Sequence, residues 1–308
     1  MAFYNRYQTV LGSSPVQLLQ TARPPFLLLA PTCILLGWAT AARFGLTWSW
    51  IDAWLAMLGA LAAHAAVNII NEYQDFQSGL DSTTERTPFS GGSGYLPAHP
   101  KSAPAVLVLG LATVALMLVL MGWFLWRTQM AVAPLVLVGL ILVLGYTRWL
   151  TRSVIFCLIA PGAGFGLLVL GSHRVIGGNY PLEAVLLTLV VFFLVNNLLL
   201  LNQFPDVDAD RAAGRRHLLI RYGYGVGARV FLWQMLAAYG LLLAGVLLTF
   251  LPPIALSGMF TAPVAFWCAH QVSRYAAQPE RLGKAMAGNV AVSLLTPLLL
   301  AGGLCLWP

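Results

Sequence analysis

Long uncharged apolar stretches recur along the whole chain and are separated by short polar segments. Nine of them approach the ~20 residues that an α-helix needs to cross the hydrocarbon core of a bilayer. Leu251-Pro252-Pro253 divides the seventh from the eighth, because proline removes a backbone donor and ends a helix. The nine stretches lie near residues 25–43, 53–73, 103–126, 129–147, 153–172, 184–205, 229–251, 253–271 and 285–307. The pattern predicts an all-α, multi-pass membrane protein with nine transmembrane helices in a bundle.

The composition agrees with this class. The chain is 59% hydrophobic and 9% charged, with a mean hydropathy of +0.79. A soluble domain carries roughly a quarter charged residues. The chain therefore lacks the polar residues to cover itself with a surface compatible with water.

The basic residues are distributed unevenly between the two sides of this topology. Of 17 Lys and Arg residues, all but Arg43, Arg127 and Arg174 fall on the side of the N-terminus. By the positive-inside rule that side is cytoplasmic, so the C-terminus is expected outside the cell inner membrane. The net charge of +7 indicates topology and not nucleic-acid binding, since the basic residues form no contiguous patch.

Seven of the ten carboxylates lie in two short segments, one after the second predicted span and one after the sixth. Each segment has polar groups at helical spacing and should present them on one face. The first carries Asn68, Asn71, Glu72 and Asp75, followed by Asp81 in the loop. The second carries Asn202, Asp206 and Asp210. We expect a single domain over residues 1–308, built from two parallel pseudo-repeats whose acidic motifs, at 68–81 and 202–210, meet over a central cavity with a cytoplasmic-side cap.

Two facing rows of carboxylates suit a hard divalent cation. Mg²⁺ takes oxygen ligands and is commonly shared between one or two carboxylates and the phosphates of a substrate. The alternative is that these acids are ordinary helix-end residues, but the helix dipole disfavours acids at a C-terminus. Both rows, Glu72 included, are therefore expected to bind a metal–diphosphate ligand.

Basic and small residues beside the rows are expected to bind the diphosphate. Arginine binds phosphate oxygens in bidentate fashion and would stabilise the charge on a departing diphosphate. The Gly-rich stretch 88–94 could wrap backbone N–H groups around anionic oxygens. The alternatives are topological bias for the arginines and a flexible hinge for the loop. The candidates are Arg86, Arg148, Arg152, Arg211, Arg215, Ser90 and Ser93.

Two other residues are expected to face the substrate. His64 precedes Asn68 by one helical turn, so both point toward the predicted cavity and form part of the substrate pocket. A buried neutral histidine is favoured there over a catalytic base. Tyr146, at the cytoplasmic end of the fourth span, could contact the diphosphate or an aromatic substrate. The predicted catalytic residues are Asp75, Asp206, Arg86 and Tyr146.

Two prolines are expected to interrupt helices. Pro205 should kink the sixth span directly before Asp206. Pro161, with the glycines that follow it, should loosen or break the fifth.

These motifs resemble the UbiA superfamily of intramembrane prenyltransferases. Asn71-Glu72-Tyr73-Gln74-Asp75, followed by Asp81, is similar to its Asn-Asp-x-x-Asp signature, with Glu72 in place of the usual Asp. Asp206-Val207-Asp208-Ala209-Asp210 is similar to its Asp-x-x-x-Asp signature. Residues 68–81 and 210–215 look most like the 1,4-dihydroxy-2-naphthoate prenyltransferase branch of menaquinone biosynthesis.

The resemblance implies a mechanism. Mg²⁺ ions would be held by Asp75, Asp81, Asp206 and Asp210, with Asn71 and Asn202 as auxiliary ligands. They would bind an isoprenyl diphosphate and promote loss of diphosphate, and an aromatic carbon would attack the allylic cation. An apolar cavity would house the lipid tail and exclude water. The prenyl length, the acceptor and the oligomeric state stay open.

Two alternatives fit the same residues. An intramembrane terpene cyclase on this scaffold would close the cation on its own chain without an acceptor. A transporter of divalent cations or anionic lipid is the other, although transporter sites lie near the bilayer midplane and these acids lie at its boundary.

Overall fold

A computed structural model describes residues 15–45, 49–83, 86–176 and 178–306. This part of the chain is all-helical and contains no strand. Its nine helices of 13 residues or more are α1 (Leu29–Arg43), α2 (Trp50–Gln77), α3 (Ala103–Arg127), α4 (Ala133–Gly145), α5 (Val154–Val175), α6 (Leu182–Asn202), α7 (Tyr224–Leu247), α8 (Ala262–Tyr275) and α9 (Gly283–Leu306).

Six of these helices in the described ranges are long and apolar enough to cross a membrane: α2, α3, α5, α6, α7 and α9. A seventh crossing results if Leu19–Leu27 and α1, which meet at an angle of 44°, count as one bent span. The helices α4 and α8 are shorter, with 13 and 14 residues. The predicted all-α, multi-pass membrane class is therefore confirmed, whereas nine complete spans and a cytoplasmic cap are not.

Local signals set several helix boundaries. The Ser49 hydroxyl accepts the backbone N–H of Asp52 at the start of α2, and that of Ser153 accepts Phe156 N–H at the start of α5. The predicted interruption at Pro252 is confirmed, because α7 ends at Leu247 and a 3₁₀ helix, Pro253–Thr261, leads into α8. Such signals are readable from sequence because they act within a few residues.

The two other prolines behave differently from each other. The helix α6 ends before Pro205, and Asp206 then starts a separate short helix, Val207–Ala212. The expectation was that Pro161 loosens or breaks the fifth span. A break is excluded, since α5 continues through Pro161. The side-chain oxygen of Asn196, on α6, accepts the N–H of Gly162 at 2.7 Å. A neighbouring helix thus satisfies the backbone beside the proline, as is common in membrane helices.

The helix α6 is the centre of the bundle. It packs against α1, α5, α7 and α9, and 61% of its apolar window is buried, the largest share among the candidate spans. Small residues allow close approach of neighbouring helices. A side chain at Gly37 would overlap Ser172 of α5, and one at Gly162 would overlap the carbonyl of Phe192.

The helices α2, α3, α4 and α5 enclose a cavity beside this centre. The C-terminal ends of α2 and α6 lie at the same end of the bundle, because Asp75 and Asp210 share one arginine partner. We call this the motif end and its opposite the far end. The two acidic segments therefore meet at the motif end of the cavity, where the sequence predicts their meeting.

Candidate active site

The cavity has a volume of about 380 Å³. Along α2 it extends from Asp75 at the motif end to Ala56 near the far end, which a rise of about 1.5 Å per residue converts to roughly 28 Å. Its polar lining is concentrated at the motif end, and apolar side chains line the rest. At the far end, Ala56, Phe124 and Val132 pack into a buried cluster. The shape suits a long apolar molecule with one highly polar end.

Members of both acidic segments line the motif end. The structure brings together there Asn68, Asn71, Asp75, Asp81, Asn202, Asp206 and Asp210. Asn71 donates to the hydroxyl of Thr147 at 3.1 Å, and Asn68 donates to the carbonyl of Ala22 at 2.8 Å. These bonds fix each amide group, so the oxygen of Asn71 is oriented by the end of α4.

One arginine joins the two segments. Arg215 Nη2 lies 2.6 and 2.7 Å from the two carboxylate oxygens of Asp75. Its Nη1 donates to Asp210 Oδ1 at 2.9 Å. The other oxygen of Asp210 lies 3.1 Å from His217 Nε2. Both carboxylates are thereby fully paired by side chains of the same loop.

Two other carboxylates each retain an oxygen without a partner. Asp81 Oδ2 and Asp206 Oδ1 are buried and accept no hydrogen bond from any residue that the structure describes. Burial, and then the neighbouring Glu72 and Asp75, raise the pKa of Asp81 to about 7. Burial, and then Asp210, raise the pKa of Asp206 to about 7, opposed by a hydrogen bond from Ser90. Among the described residues neither carboxylate forms an ion pair, and the charges of Arg23 and Arg215 offset the effect of burial only in part.

Glu72 does not line the cavity. Its side chain is fully buried, accepts the backbone N–H and hydroxyl of Ser93 at 2.9 and 2.6 Å, and lies 3.8 Å from Arg23. The expectation that Glu72 faces the metal site with Asp75 is corrected, because it points into the Gly-rich loop. Ser93 is likewise held by Glu72 and does not line the cavity.

We predict that Glu72→Ala will free the Gly-rich loop and leave metal affinity unchanged. The variant removes both hydrogen bonds that hold Ser93, so the loop should open more often and be cleaved faster by trypsin at the exposed Arg86. Ser93→Ala, which removes one of the two bonds, should give an intermediate cleavage rate. A large loss of Mn²⁺ affinity in Glu72→Ala, with no change in proteolysis, would show that Glu72 is a ligand.

The predicted arginines mostly lie outside the cavity. Arg148 and Arg152 are exposed, and Arg211 pairs on the surface with Asp208 at 3.1 Å. Arg86 is exposed and packs over Gly94, whose φ of +77° and lack of a side chain make room for it. The expectation that these four border the site is wrong, because they do not line the cavity and no described residue of the site pairs with them. Their charges stay in water. Arg215 and Ser90 do line the cavity.

Three lining residues complete the polar end. His64 Nδ1 is buried and has no hydrogen-bond partner among the described residues. Its ring meets Phe165 edge to face at 4.9 Å between centroids. Tyr146 lies near the motif end of α4 and Asn202 at the end of α6, and both line the cavity. Their positions agree with the sequence prediction, and their roles remain predictions.

Sequence reasoning missed Arg23 and His217. Arg23 lines the cavity and adopts a left-handed conformation, φ 54°, which is uncommon for a residue other than glycine. Two features of the sequence could have indicated Arg23 as a site residue: its positive charge, and its position before two prolines at the start of the first span. His217 lies two residues after Arg215, and only its contact with Asp210 reveals it. Among described residues, Arg23 and Arg215 are the two arginines that line the cavity.

The residues present fit a hard divalent cation. In the described part of the chain, no three His, Cys, Asp or Glu side chains already converge on one point. However, the unpaired oxygens of Asp81 and Asp206 are carboxylate donors, the type that Mg²⁺ takes together with substrate phosphates. A buried carboxylate oxygen without a partner is costly unless a cation or a proton satisfies it.

Comparisons with known proteins identify the family. Residues 28–303 match the UbiA prenyltransferase family. The chain is 26% identical to the 2-carboxy-1,4-naphthoquinone phytyltransferase of Synechocystis sp. (strain ATCC 27184 / PCC 6803 / Kazusa) over 92% of each chain. It is 27% identical to the 1,4-dihydroxy-2-naphthoate octaprenyltransferase of Bacillus subtilis (strain 168) over 62% of this chain and 63% of that one.

A solved structure shares the fold. A UbiA homologue from Archaeoglobus fulgidus, bound to GPP and Mg²⁺, superposes with a TM-score of 0.57 at 14% identity, over 94% of this chain and 99% of that one. The family match covers most of the chain and both acidic segments. This protein therefore belongs to the UbiA prenyltransferase family and is a membrane-embedded prenyltransferase.

Proposed function

We propose that this protein transfers a prenyl group from an isoprenyl diphosphate to 1,4-dihydroxy-2-naphthoate within the membrane, in a reaction that depends on Mg²⁺. The observation that carries the proposal is the long apolar cavity, which ends at two buried carboxylates with unpaired oxygens. Such a cavity suits a lipid tail with a diphosphate head. The names of the two curated relatives support a naphthoate acceptor.

The diphosphate head would bind at the motif end. Asp75, Asp81, Asp206 and Asp210, with Asn71 and Asn202, would hold Mg²⁺, which supplies charge neutralisation for the departing diphosphate. Arg215, Arg23 and Ser90 line the same region and would donate hydrogen bonds to phosphate oxygens. The remaining polar groups, His64, Asn68 and Tyr146, would orient the acceptor beside the donor.

The apolar body of the cavity would protect the reaction. An allylic cation is quenched by water, so its formation requires a dry pocket. The walls supplied by α3, α4 and α5 are apolar between the motif end and the far cluster. Holding both lipid substrates in one pocket also supplies proximity.

We propose one functional domain over residues 1–308, with two parallel pseudo-repeats and nine membrane-crossing segments in the cell inner membrane. In this arrangement α4 and the pair formed by Pro253–Thr261 and α8 are shorter crossings. The motif end and the N-terminus would be cytoplasmic, because the basic residues concentrate there. Cysteine labelling of an exposed far-end residue from outside the cell would test the orientation.

The testing experiment uses purified protein in detergent with radiolabelled prenyl diphosphate, with Mg²⁺ or EDTA, and a panel of aromatic acceptors. Label transfer to 1,4-dihydroxy-2-naphthoate that requires Mg²⁺ is the expected result. Transfer to another acceptor would overturn the assigned substrate. A cyclised hydrocarbon without any adduct would indicate a terpene cyclase, and ion or lipid flux in proteoliposomes without product would indicate a transporter.

We predict that Gly139→Phe will shorten the donors that the enzyme accepts. Gly139, on α4, lines the middle of the cavity, and an added Cβ there would lie 3.6 Å from the Met121 side chain. A phenyl group there should block the path to the far end. Turnover with an octaprenyl donor should fall about fivefold or more relative to turnover with a geranyl donor, since an overpacked pocket costs about 1–3 kcal/mol.

Gly122→Phe is the matched control. Gly122 lies on α3, is exposed on the apolar outer surface, and has no other side chain within 4 Å of an added Cβ. The same phenyl group at that position should leave the ratio of the two rates unchanged. Equal loss with both donors in Gly139→Phe would contradict the placement of the tail in this channel.

A further inference from the structure

The guanidinium group of Arg215 takes the place of a cation between the two acidic segments. It is charged, lies within 2.9 Å of Asp75 and Asp210, and is separated from Asp75 by 140 residues of sequence. Its side chain is 20% exposed, against 10% and 4% for the two carboxylates. In such a shielded position, two carboxylates repel each other unless a positive group lies between them.

The four acidic residues at the motif end fall into two classes. Asp75 and Asp210 have every oxygen paired, through Arg215 and His217. Asp81 and Asp206 each keep a buried oxygen that no described residue pairs with. One pair of carboxylates is thus blocked by an internal cation, while the other pair is available.

We propose that Arg215 holds the acidic segments together in the metal-free protein, and that its guanidinium moves from Asp75 and Asp210 to the diphosphate of the donor when metal and diphosphate bind. The proposal rests on the metal-dependent function above. It makes Arg215 a positioning residue in the resting protein and a direct ligand of the diphosphate in the loaded one.

Charge balance favours this exchange. A fork of N–H donors that fits one carboxylate also fits a phosphate group. When a divalent cation binds Asp75 and Asp210, Arg215 loses its negative partners, and the diphosphate supplies new ones. The metal and the diphosphate should therefore each strengthen binding of the other through Arg215, and the coupling must be reciprocal.

The first test is Mn²⁺ binding to the purified full-length protein, followed by the EPR signal of free Mn²⁺, without any donor or acceptor. Arg215→Gln should bind Mn²⁺ about tenfold more tightly than wild type or better, because the metal no longer has to displace hydrogen bonds between charged groups. Affinity that is unchanged or weaker in Arg215→Gln would overturn the proposal.

Two further variants distinguish the effect of the hydrogen bonds that Arg215 makes from the effect of its positive charge. Arg221→Gln removes an exposed arginine from the neighbouring short helix and should leave Mn²⁺ affinity within about twofold of wild type, because salt screens exposed charges. Arg215→Lys keeps the charge but cannot bridge two carboxylates with one fork, so its affinity should lie between those of wild type and Arg215→Gln. A tenfold gain in Arg221→Gln as well would show a general charge effect and overturn the proposal.

The second test measures coupling and does not require Arg215→Gln to fold. Methylene diphosphonate should raise Mn²⁺ affinity in wild type by a factor that Arg215→Lys reduces. If methylene diphosphonate raised Mn²⁺ affinity by the same factor in wild type and in Arg215→Lys, the guanidinium of Arg215 would not move from the carboxylates to the phosphate groups, and the proposal would be overturned. Neither test involves a prenyl group or an aromatic acceptor, so a failure of prenyl transfer would leave these results standing.

Discussion

Replacing Asp206 with asparagine should reduce prenyl transfer by at least about 100-fold, because loss of one group that stabilises developing charge typically costs 10²–10³ in rate. Asp206 lines the motif end and has a buried oxygen with no partner. The variant should still fold, because the burial that raises the pKa of Asp206 to about 7 disfavours a charge and therefore tolerates a neutral amide of the same shape. Turnover of labelled donor, together with gel filtration of the same preparation, measures both outcomes.

Asp208→Asn is the matched control for this experiment. Asp208 lies two residues away on the same short helix, but its side chain is 90% exposed and pairs with Arg211 on the surface. The same chemical change at this position should leave turnover within about twofold, because an exposed ion pair contributes little. Full activity in Asp206→Asn would remove Asp206 from the metal site, and equal losses in both variants would point to a general effect of charge on the segment.

Gly162→Ala should lower the thermal stability of the protein and impair the site at the same time. A Cβ at this position would overlap the Phe192 carbonyl oxygen and the Asn196 side chain. The Phe192 carbonyl belongs to the backbone of α6 and cannot rotate away as a flexible side chain can. The added methyl group would therefore push α5 and α6 apart. Overpacking of this kind costs about 1–3 kcal/mol, and we expect a fall in Tm of about 2–5 °C. A thiol-reactive dye can report unfolding, since three of the cysteines are buried.

Gly240→Ala tests whether any added methyl group in a membrane helix has this effect. Gly240 lies inside α7 and has no atom within 4 Å of an added Cβ. Its replacement should leave Tm unchanged or raise it slightly, since glycine inside a helix costs about 0.5–1 kcal/mol relative to alanine. A Tm for Gly162→Ala equal to that of Gly240→Ala would mean that the contact between α5 and α6 can relax.

The close contact at Gly162 also matters for the cavity. Pro161 and Gly164 of α5 face the cavity, while Gly162 faces α6 through its bond to Asn196. A shift of α5 would therefore change the width of the channel that holds the donor tail. We expect the loss of activity in Gly162→Ala to exceed what the loss of folded protein explains.

The sequence by itself determined the membrane class, most helix boundaries and, Glu72 excepted, which acidic residues line the cavity. These features depend on neighbours within a few residues: apolar runs define spans, prolines end helices, and spacing of three or four residues places side chains on one face. The positions of Asp75, Asp206 and Tyr146 at the cavity follow from that periodicity together with the order of the spans. The resemblance to the family rests on the same local motifs.

Only the tertiary structure decided which charges meet. Arg215 reaches Asp75 across 140 residues, whereas Arg148 and Arg152 stay in water, and no local pattern separates the three. Glu72 shares a helical face with Asp75 in sequence, yet it reaches Ser93 of the Gly-rich loop. The helix α5 passes through Pro161 because Asn196 of another helix satisfies its backbone. A long polar side chain can reach several positions, and it pairs with whichever partner the packing of distant segments places within reach. That packing cannot be read from a local pattern.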